Sequence, residues 1–368
     1  MTSPAVLGAL QDARLLPDDT LAVLLVGSQA RSWEHEASDI DVIVATEHTP
    51  EARTFPLVRS RAGDHLVGAM TEFADRRLEV HYWSQPQVDA LLAAASWEVF
   101  DEAESSAEPF GVKERQFADR LSTGRVLTGD RWQQVCRTAL HDSAFRSLCI
   151  QFALDSADGV LVKALGLLRS GDIHAAVLAA KDAFDHAVDA LLLGGGELGP
   201  LRKWRARRFH SAAAALPIDF DTYWTLETMQ HFDPNDQGRW VDQVAAFVHT
   251  TALYTELDPR PGHYLEPADA AGDAWPIPLD RYPRWRSGVR PRRVRDGLLL
   301  LTGTEGILLD GPRDRMVCRA DGRHTVAEIV AATAAELRLP EPDMAAAAGE
   351  LFGCLEAEGY VELTGEAL

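Results

Sequence analysis

Residues Leu21–Ala45 read LAVLLVGSQARSWEHEASDIDVIVA, and their pattern decides the fold of the first part of the chain. The apolar run Leu21–Val26 suits a buried strand. Gly27-Ser28 ends it, a polar stretch follows, and Ser38-Asp39-Ile40-Asp41 opens a second apolar run that reaches Ala45. Side chains alternate along a strand, so Asp39 and Asp41 share one face while Ile40, Val42 and Val44 fill the other. Two carboxylates this close repel each other and cost stability unless a cation lies between them. Mg²⁺ suits that arrangement, because it takes a few carboxylates together with waters and substrate phosphates.

Gly27 lets the backbone turn tightly and approach a ligand closely. Ser28 offers a hydroxyl and an N–H to a phosphate at a helix start. Arg31, one helical turn on, can add charge against a triphosphate. With Ser38 these form the candidate nucleotide contacts. A third strand, Arg77–Trp83 (RLEVHYW), sets Glu79 between apolar Leu78 and Val80. Acids inside strands break the expected pattern, and such breaks tend to mark function.

Asp39, Asp41 and Glu79 are therefore the candidate catalytic and metal-binding set, enough to hold two Mg²⁺ ions. One would polarise an α-phosphate and stabilise a pyrophosphate leaving group, and the other would help deprotonate an acceptor hydroxyl. Glu79 can also serve as a general base. His81 follows two residues later on the same face, and reads either as an acid–base helper or as a packed histidine.

The stretch VGSQARSWEHEASDIDVIVA resembles the signature of the DNA polymerase β-like nucleotidyltransferase superfamily. Its smaller members include the aminoglycoside adenylyltransferases and the minimal nucleotidyltransferases. The usual pattern is Gly-Ser-x-Ala-Arg-Gly, a polar stretch, then Ser-Asp-Ile-Asp-Leu. Here the gap matches, and Ser32 stands where that pattern has its last glycine. RRLEVHYW is similar to the family strand with the third carboxylate, which maps to Glu79. The resemblance implies an α/β (α+β) polymerase β-like domain using Mg²⁺ and ATP or another NTP to transfer a nucleoside monophosphate.

The whole chain has 368 residues, is 46% hydrophobic and has a formal net charge of −20. Its length allows two or three domains, and its acidity argues against a general DNA or RNA binder. Cys136, Cys149, Cys318 and Cys354 form no CxxC pair and have no zinc-spaced histidines nearby, so they read as reduced thiols. The start, MTSPAVLGALQDARLLPDD, lacks a basic segment followed by a long apolar run. No stretch approaches the roughly 20 apolar residues that span a bilayer. The expectation is a cytoplasmic protein without a membrane partner.

The pattern divides the chain into four segments: an α/β block over 1–108, which the resemblance implies is the nucleotidyltransferase domain, an all-helical domain over 109–258, a linker over 259–289 and a winged-helix-like α+β module over 290–368. Gly171–Asp172, Gly194–Gly196 and Pro217 punctuate the helical block. That block resembles the helical domain that walls the acceptor site in many such enzymes. Asp182, Asp185, His186 and Asp189 share one helix face, either as a stripe for a cationic acceptor or as a solvated surface. The basic run Arg202–Arg208 (RKWRARR), with Lys203 the nucleotide candidate, can meet a triphosphate or an acidic acceptor, with Trp204 to stack on a base, or is simply a solvated basic helix.

In the last segment, short strands are expected at Gly297–Leu301 and Gly306–Leu309. A helix over Thr325–Leu337 has a capping box from Thr325 and Glu328, and a second helix runs over Asp343–Glu358. Gly359 ends that helix, before an extended Tyr360–Leu363. DGRHTVAEIVAATAAEL followed by EAEGYVEL resembles the PqqD-like domain, or RiPP recognition element. That family binds the leader of a ribosomally made precursor peptide. The resemblance implies β-augmentation, in which the leader adds a strand to an open sheet edge, here near Leu298–Leu301 or Val317–Arg319.

Seven arginines lie within Arg281–Arg295, either to attract an acidic leader or as a solvated linker balancing an acidic body. Winged helices also bind DNA, but Thr325–Leu337 has no Lys or Arg in its first three turns, which argues against that partner. The leading expectation is transfer of a nucleoside monophosphate, most simply AMP, to a precursor peptide recruited by the C-terminal module. A small-molecule, aminoglycoside-like acceptor and a non-catalytic peptide-binding scaffold are the alternatives.

Overall fold

The computed structural model describes residues 3–51, 55–102, 108–230, 232–233, 235–257, 277–286, 288–295, 297–302 and 305–367. Most of the expected linker, residues 259–276, lies outside the described residues. The chain forms two compact units: Met1–Cys149 with Glu197–Arg205, and Ile150–Gly196 with Ala206–Leu368.

The first unit is built on a six-stranded mixed sheet. In chain order its elements are α1 (Ser3–Asp12), β1 (Thr20–Val26), the single turn α2 (Gly27–Ala30), β2 (Ile40–Thr46), β3 (Phe55–Arg59), β4 (His65–Phe73), β5 (Arg76–Ser84), α3 (Gln85–Ala94), α4 (Trp97–Glu102), α5 (Val112–Thr123), β6 (Arg125–Thr128) and α6 (Asp130–Asp142). The strand order is β3-β4-β5-β2-β1-β6. β2 and β5 run parallel at the centre, and the other neighbours pair antiparallel.

One face of this sheet packs Val23, Leu25, Ile40, Val42, Val44, Leu78, Val80 and Tyr82 with Val6 and Leu10 of α1. On the opposite face the Trp83 ring of β5 stacks on Phe117 of α5 with centroids 4.0 Å apart. That stack seats α5 beside the acidic residues of β2 and β5.

The all-helical reading of 109–258 needs correction, since Arg125–Thr128 forms β6 and pairs with β1. Residues 109–149 consequently join the first unit rather than a separate helical domain.

The second unit begins within α7 (Phe145–Arg169) and continues through α8 (Ile173–Gly194), α9 (Arg205–Ala212), α10 (Phe220–Glu227) and α11 (Gln237–Tyr254). Phe184, Tyr223, Trp240 and Phe247 are among the buried side chains of its helical core. Next come β7 (Tyr282–Trp285), β8 (Arg290–Val294), β9 (Gly297–Thr302), β10 (Glu305–Leu309), α12 (Gly311–Val317), α13 (Val326–Leu337), α14 (Glu341–Ala357) and β11 (Val361–Thr364). Thr325 caps α13, with the reciprocal Glu328 contact the sequence suggested.

Leu253 of α11 belongs to the same buried cluster as Leu298, Leu300, Val317, Ile329 and Phe352. Residues 290–368 therefore share a core with α11 and do not form a separate body.

The expected open edge is also corrected. Leu298–Leu301 lie in β9, the central strand of a three-stranded sheet, and are bonded on both sides. Val317 ends α12, and Cys318–Arg319 continue as a turn. Part of β8 is occupied on its other side: Glu256 bridges to Arg293, and the Leu257 N–H donates to the Arg293 carbonyl at 2.8 Å.

The arginine-rich stretch is not wholly a solvated linker either. Arg292 is 2% exposed and donates to Asp155 at 2.5 Å and Asp158 at 2.8 Å. Arg293 pairs with Asp314 at 2.6 Å.

Candidate metal and nucleotide site

Every residue of β2 is buried except Asp41. A strand spends its positions on apolar side chains when both faces are covered, so this lone carboxylate marks where the sheet turns from packing to chemistry. Asp41 stands opposite Glu79 in the parallel register of β2 and β5. His81, two positions along β5, shares Glu79's face because side chains alternate. Donor atoms of Asp41, Glu79 and His81 all lie within 4.8 Å of one another. The His81 Nε2 is 3.7 Å from Asp41 Oδ1 and 3.8 Å from Glu79 Oε2, too far for a hydrogen bond.

Asp39 lies just before β2 and is held differently. Arg77 Nη2 bridges it to Glu79, at 2.5 Å from Asp39 Oδ2 and 3.0 Å from Glu79 Oε1. The three acids expected together are thus linked, Asp41 and Glu79 by register and Asp39 through a guanidinium. Ser38 has a positioning role in the loop: its Oγ accepts from the His35 N–H at 2.9 Å, and its carbonyl accepts from Arg76 Nε at 2.8 Å.

Gly27 has φ +68°, and a Cβ built there would fall 2.5 Å from Asp41 Oδ2. A side chain at position 27 would occupy the space beside that carboxylate. Ser28 is 8% exposed and sits in the single turn α2. One turn sums few peptide dipoles, so the helix-start contribution expected at Ser28 is small.

Arg31 departs from its expected role. Its guanidinium donates to Asp119 at 2.5 Å and Glu197 at 2.9 Å, and lies 4.6 Å from the Trp33 ring centroid. Two carboxylates already satisfy it, so any triphosphate would have to compete with them. Its effect is to tie Glu197–Arg205 to the end of α2, and the Trp33–Trp204 ring pair at 5.7 Å reinforces the tie. That segment includes the 3₁₀ turn Arg202–Trp204 and brings Lys203 near enough for its charge to act on Asp41.

Arg120 and Lys113 of α5 were not among the sequence candidates. Arg120 Nη2 lies 3.1 Å from Asp41 Oδ1. Lys113 experiences the charges of Arg120, Glu79 and Asp41. With Phe117 they fall at i, i+4 and i+7, one face of the helix. The signal was present as spacing, but only the Trp83–Phe117 stack shows which face meets the sheet.

Burial by itself would raise the Asp41 carboxyl's pKa. The facing His81 ring, Arg120 and Lys203 outweigh it, and the net direction is down. For His81 burial is the largest influence and holds the imidazole below its ordinary range, even though Asp41 pulls the other way. Asp41 is therefore held as an anion and His81 as a neutral ring, the forms in which both are metal ligands.

This donor set fits a divalent cation: two hard carboxylates, one nitrogen whose buried Nε2 has no hydrogen-bond partner, and a glycine leaving the carboxylate's far side clear. No helix among the described residues is long and apolar enough to cross a membrane.

No family profile matches this chain, and no curated protein matches it. Among solved structures it is similar to a nucleotidyltransferase-like protein from Exiguobacterium sibiricum 255-15. The identity is 13% and the TM-score 0.38, over 69% of this chain and 76% of that one. A likeness this slight assigns no family, and the functional reading stands on the geometry of the site.

Proposed function

We propose that this chain is a divalent-metal-dependent nucleotidyltransferase that moves a nucleoside monophosphate, most simply AMP from ATP, onto an acceptor hydroxyl or carboxylate. The observation that supports this most is the in-register pairing of Asp41 with Glu79, closed on one side by His81 and opened on the other by Gly27. Asp41, Glu79 and His81 would hold the cation, with Asp39 beside them on Arg77. When bound, the cation supplies Lewis-acid polarisation of the α-phosphate. Lys113 and Lys203 supply positive charge for the polyphosphate, whose charge grows on the leaving pyrophosphate as the bond breaks, and Arg120 would join them on exchanging its 3.1 Å contact with Asp41 for the phosphate once a cation takes over that carboxylate. Glu79 is the candidate general base for the acceptor.

The acceptor we propose is a ribosomally made precursor peptide recruited by the C-terminal part of the second unit. The supporting feature is a small antiparallel sheet whose outer strand β10 pairs only with β9 among the described residues, backed by α12–α14. Covalent linkage of a peptide-holding module to a transferase would raise the local concentration of a weakly bound acceptor.

The test is to incubate the protein with each NTP, Mg²⁺ or Mn²⁺, and any short peptides encoded beside its gene. The expected result is a peptide heavier by one nucleotidyl group. No mass gain with any NTP, on these peptides or on a panel of hydroxyl-bearing small molecules, would count against the reading.

A further inference from the structure

The carboxylates of the site have one neighbour that a purely oxygen-liganded Mg²⁺ centre does not require. The His81 side chain is 7% exposed, and its Nε2 is buried without a hydrogen-bond partner. A polar nitrogen left so costs free energy unless something fills its lone pair or takes its proton. The atoms it faces, Asp41 Oδ1 at 3.7 Å and Glu79 Oε2 at 3.8 Å, are separated from it by more than a hydrogen bond. All three lie within the 4.8 Å spread that a single cation can draw together. Asp39 is not in this group; Arg77 holds it at 2.5 Å and also reaches Glu79 Oε1 at 3.0 Å, while Arg120 reaches Asp41 Oδ1 at 3.1 Å.

We infer that His81 is a direct metal ligand through Nε2, and that the centre formed by Asp41, Glu79 and His81 selects Mn²⁺, or another divalent ion that accepts nitrogen, over Mg²⁺. Mg²⁺ is strongly hydrated and prefers oxygen, whereas imidazole suits first-row transition ions. Replacing one carboxylate by a neutral ring also lowers the negative charge of the donor set, so ligand type becomes the basis of selection. The inference rests on the reading of Asp41 and Glu79 as metal ligands and specifies which ion they share with His81.

The experiment uses tag-free full-length protein, titrated with Mn²⁺ in the absence of nucleotide. Free Mn²⁺ is followed by electron paramagnetic resonance, and Mg²⁺ affinity is obtained by competition. The expected result is Mn²⁺ bound about tenfold or more tightly than Mg²⁺. Electron spin-echo envelope modulation of the bound ion should show nitrogen coupling. In His81→Gln that coupling disappears and the Mn²⁺ preference collapses, while Mg²⁺ affinity changes little.

The spectroscopic test on the wild-type protein stands even if the variant folds poorly. Mn²⁺ binding that is lost in Asp41→Asn yet shows no nitrogen coupling would overturn the role of His81 and leave the metal centre intact. Absence of Mn²⁺ and Mg²⁺ binding alike, with or without an NTP, would overturn both this inference and the transferase reading.

Discussion

Asp41 and Glu79 occupy partnered positions on two parallel strands, and Gly27 lies against Asp41 from the neighbouring turn. The register fixes both carboxylates on rigid backbone, so their separation does not depend on a mobile loop. The space beside Asp41 exists because residue 27 has no side chain.

Gly27→Ala should therefore damage the site directly. The new Cβ would meet Asp41 Oδ2 at 2.5 Å, and the φ of +68° is strained for any L side chain. The backbone strain alone is worth about 1–2 kcal/mol. Divalent-ion affinity should fall about tenfold or more as Asp41 is displaced. Thermal unfolding and metal titration of the same variant check both effects.

Ser32 stands in the left-handed region, with φ +55°, where the resembling family pattern has glycine. Ser32→Gly relieves roughly 1–2 kcal/mol of strain and adds roughly 0.5–1 kcal/mol of unfolded-state entropy. The strain wins, so the substitution should stabilise the protein by about 0.5–1 kcal/mol. Urea unfolding measures it, and an unchanged or lower midpoint would contradict the strain assignment.

Arg292 is enclosed by Asp155 and Asp158 of α7. Arg292→Met leaves the buried Asp158 without its cation and Asp155 with only Arg290 at 3.9 Å, and should destabilise the second unit by about 3 kcal/mol. Adding Asp155→Asn and Asp158→Asn should recover much of that loss, because the cost lies in the uncompensated charge. Denaturant unfolding of the single and triple variants tests this. Equal destabilisation in both would refute the electrostatic explanation.

How much of this could be read beforehand differs residue by residue. β1, β2 and β5 were legible because central strands are continuous apolar runs, which made Asp41 and Glu79 conspicuous interruptions. β3 and β4 were not, since outer strands are half solvated: Pro56 sits in β3, the edge strand that tolerates it, and β4 alternates in exposure towards its end. β6 has four residues and no pattern of its own, and only pairing with β1 makes it a strand.

Arg120 reaches Asp41 from 79 residues away, a contact no local spacing encodes. Arg31 looked like a phosphate ligand because its partners, Asp119 and Glu197, lie far along the chain. Lys203 entered as a loose basic run, and the return of Glu197–Arg205 to the first unit is what brings it near Asp41.

The claim of a metal–nucleotide site is tested most directly by calorimetric binding of a non-hydrolysable NTP analogue, with and without a divalent ion, to the wild-type protein and Asp41→Asn. The account predicts binding of at least one NTP analogue that requires the ion and weakens about tenfold or more in Asp41→Asn while the fold is retained. Binding indifferent to both the ion and Asp41, or no binding by any analogue, would contradict it.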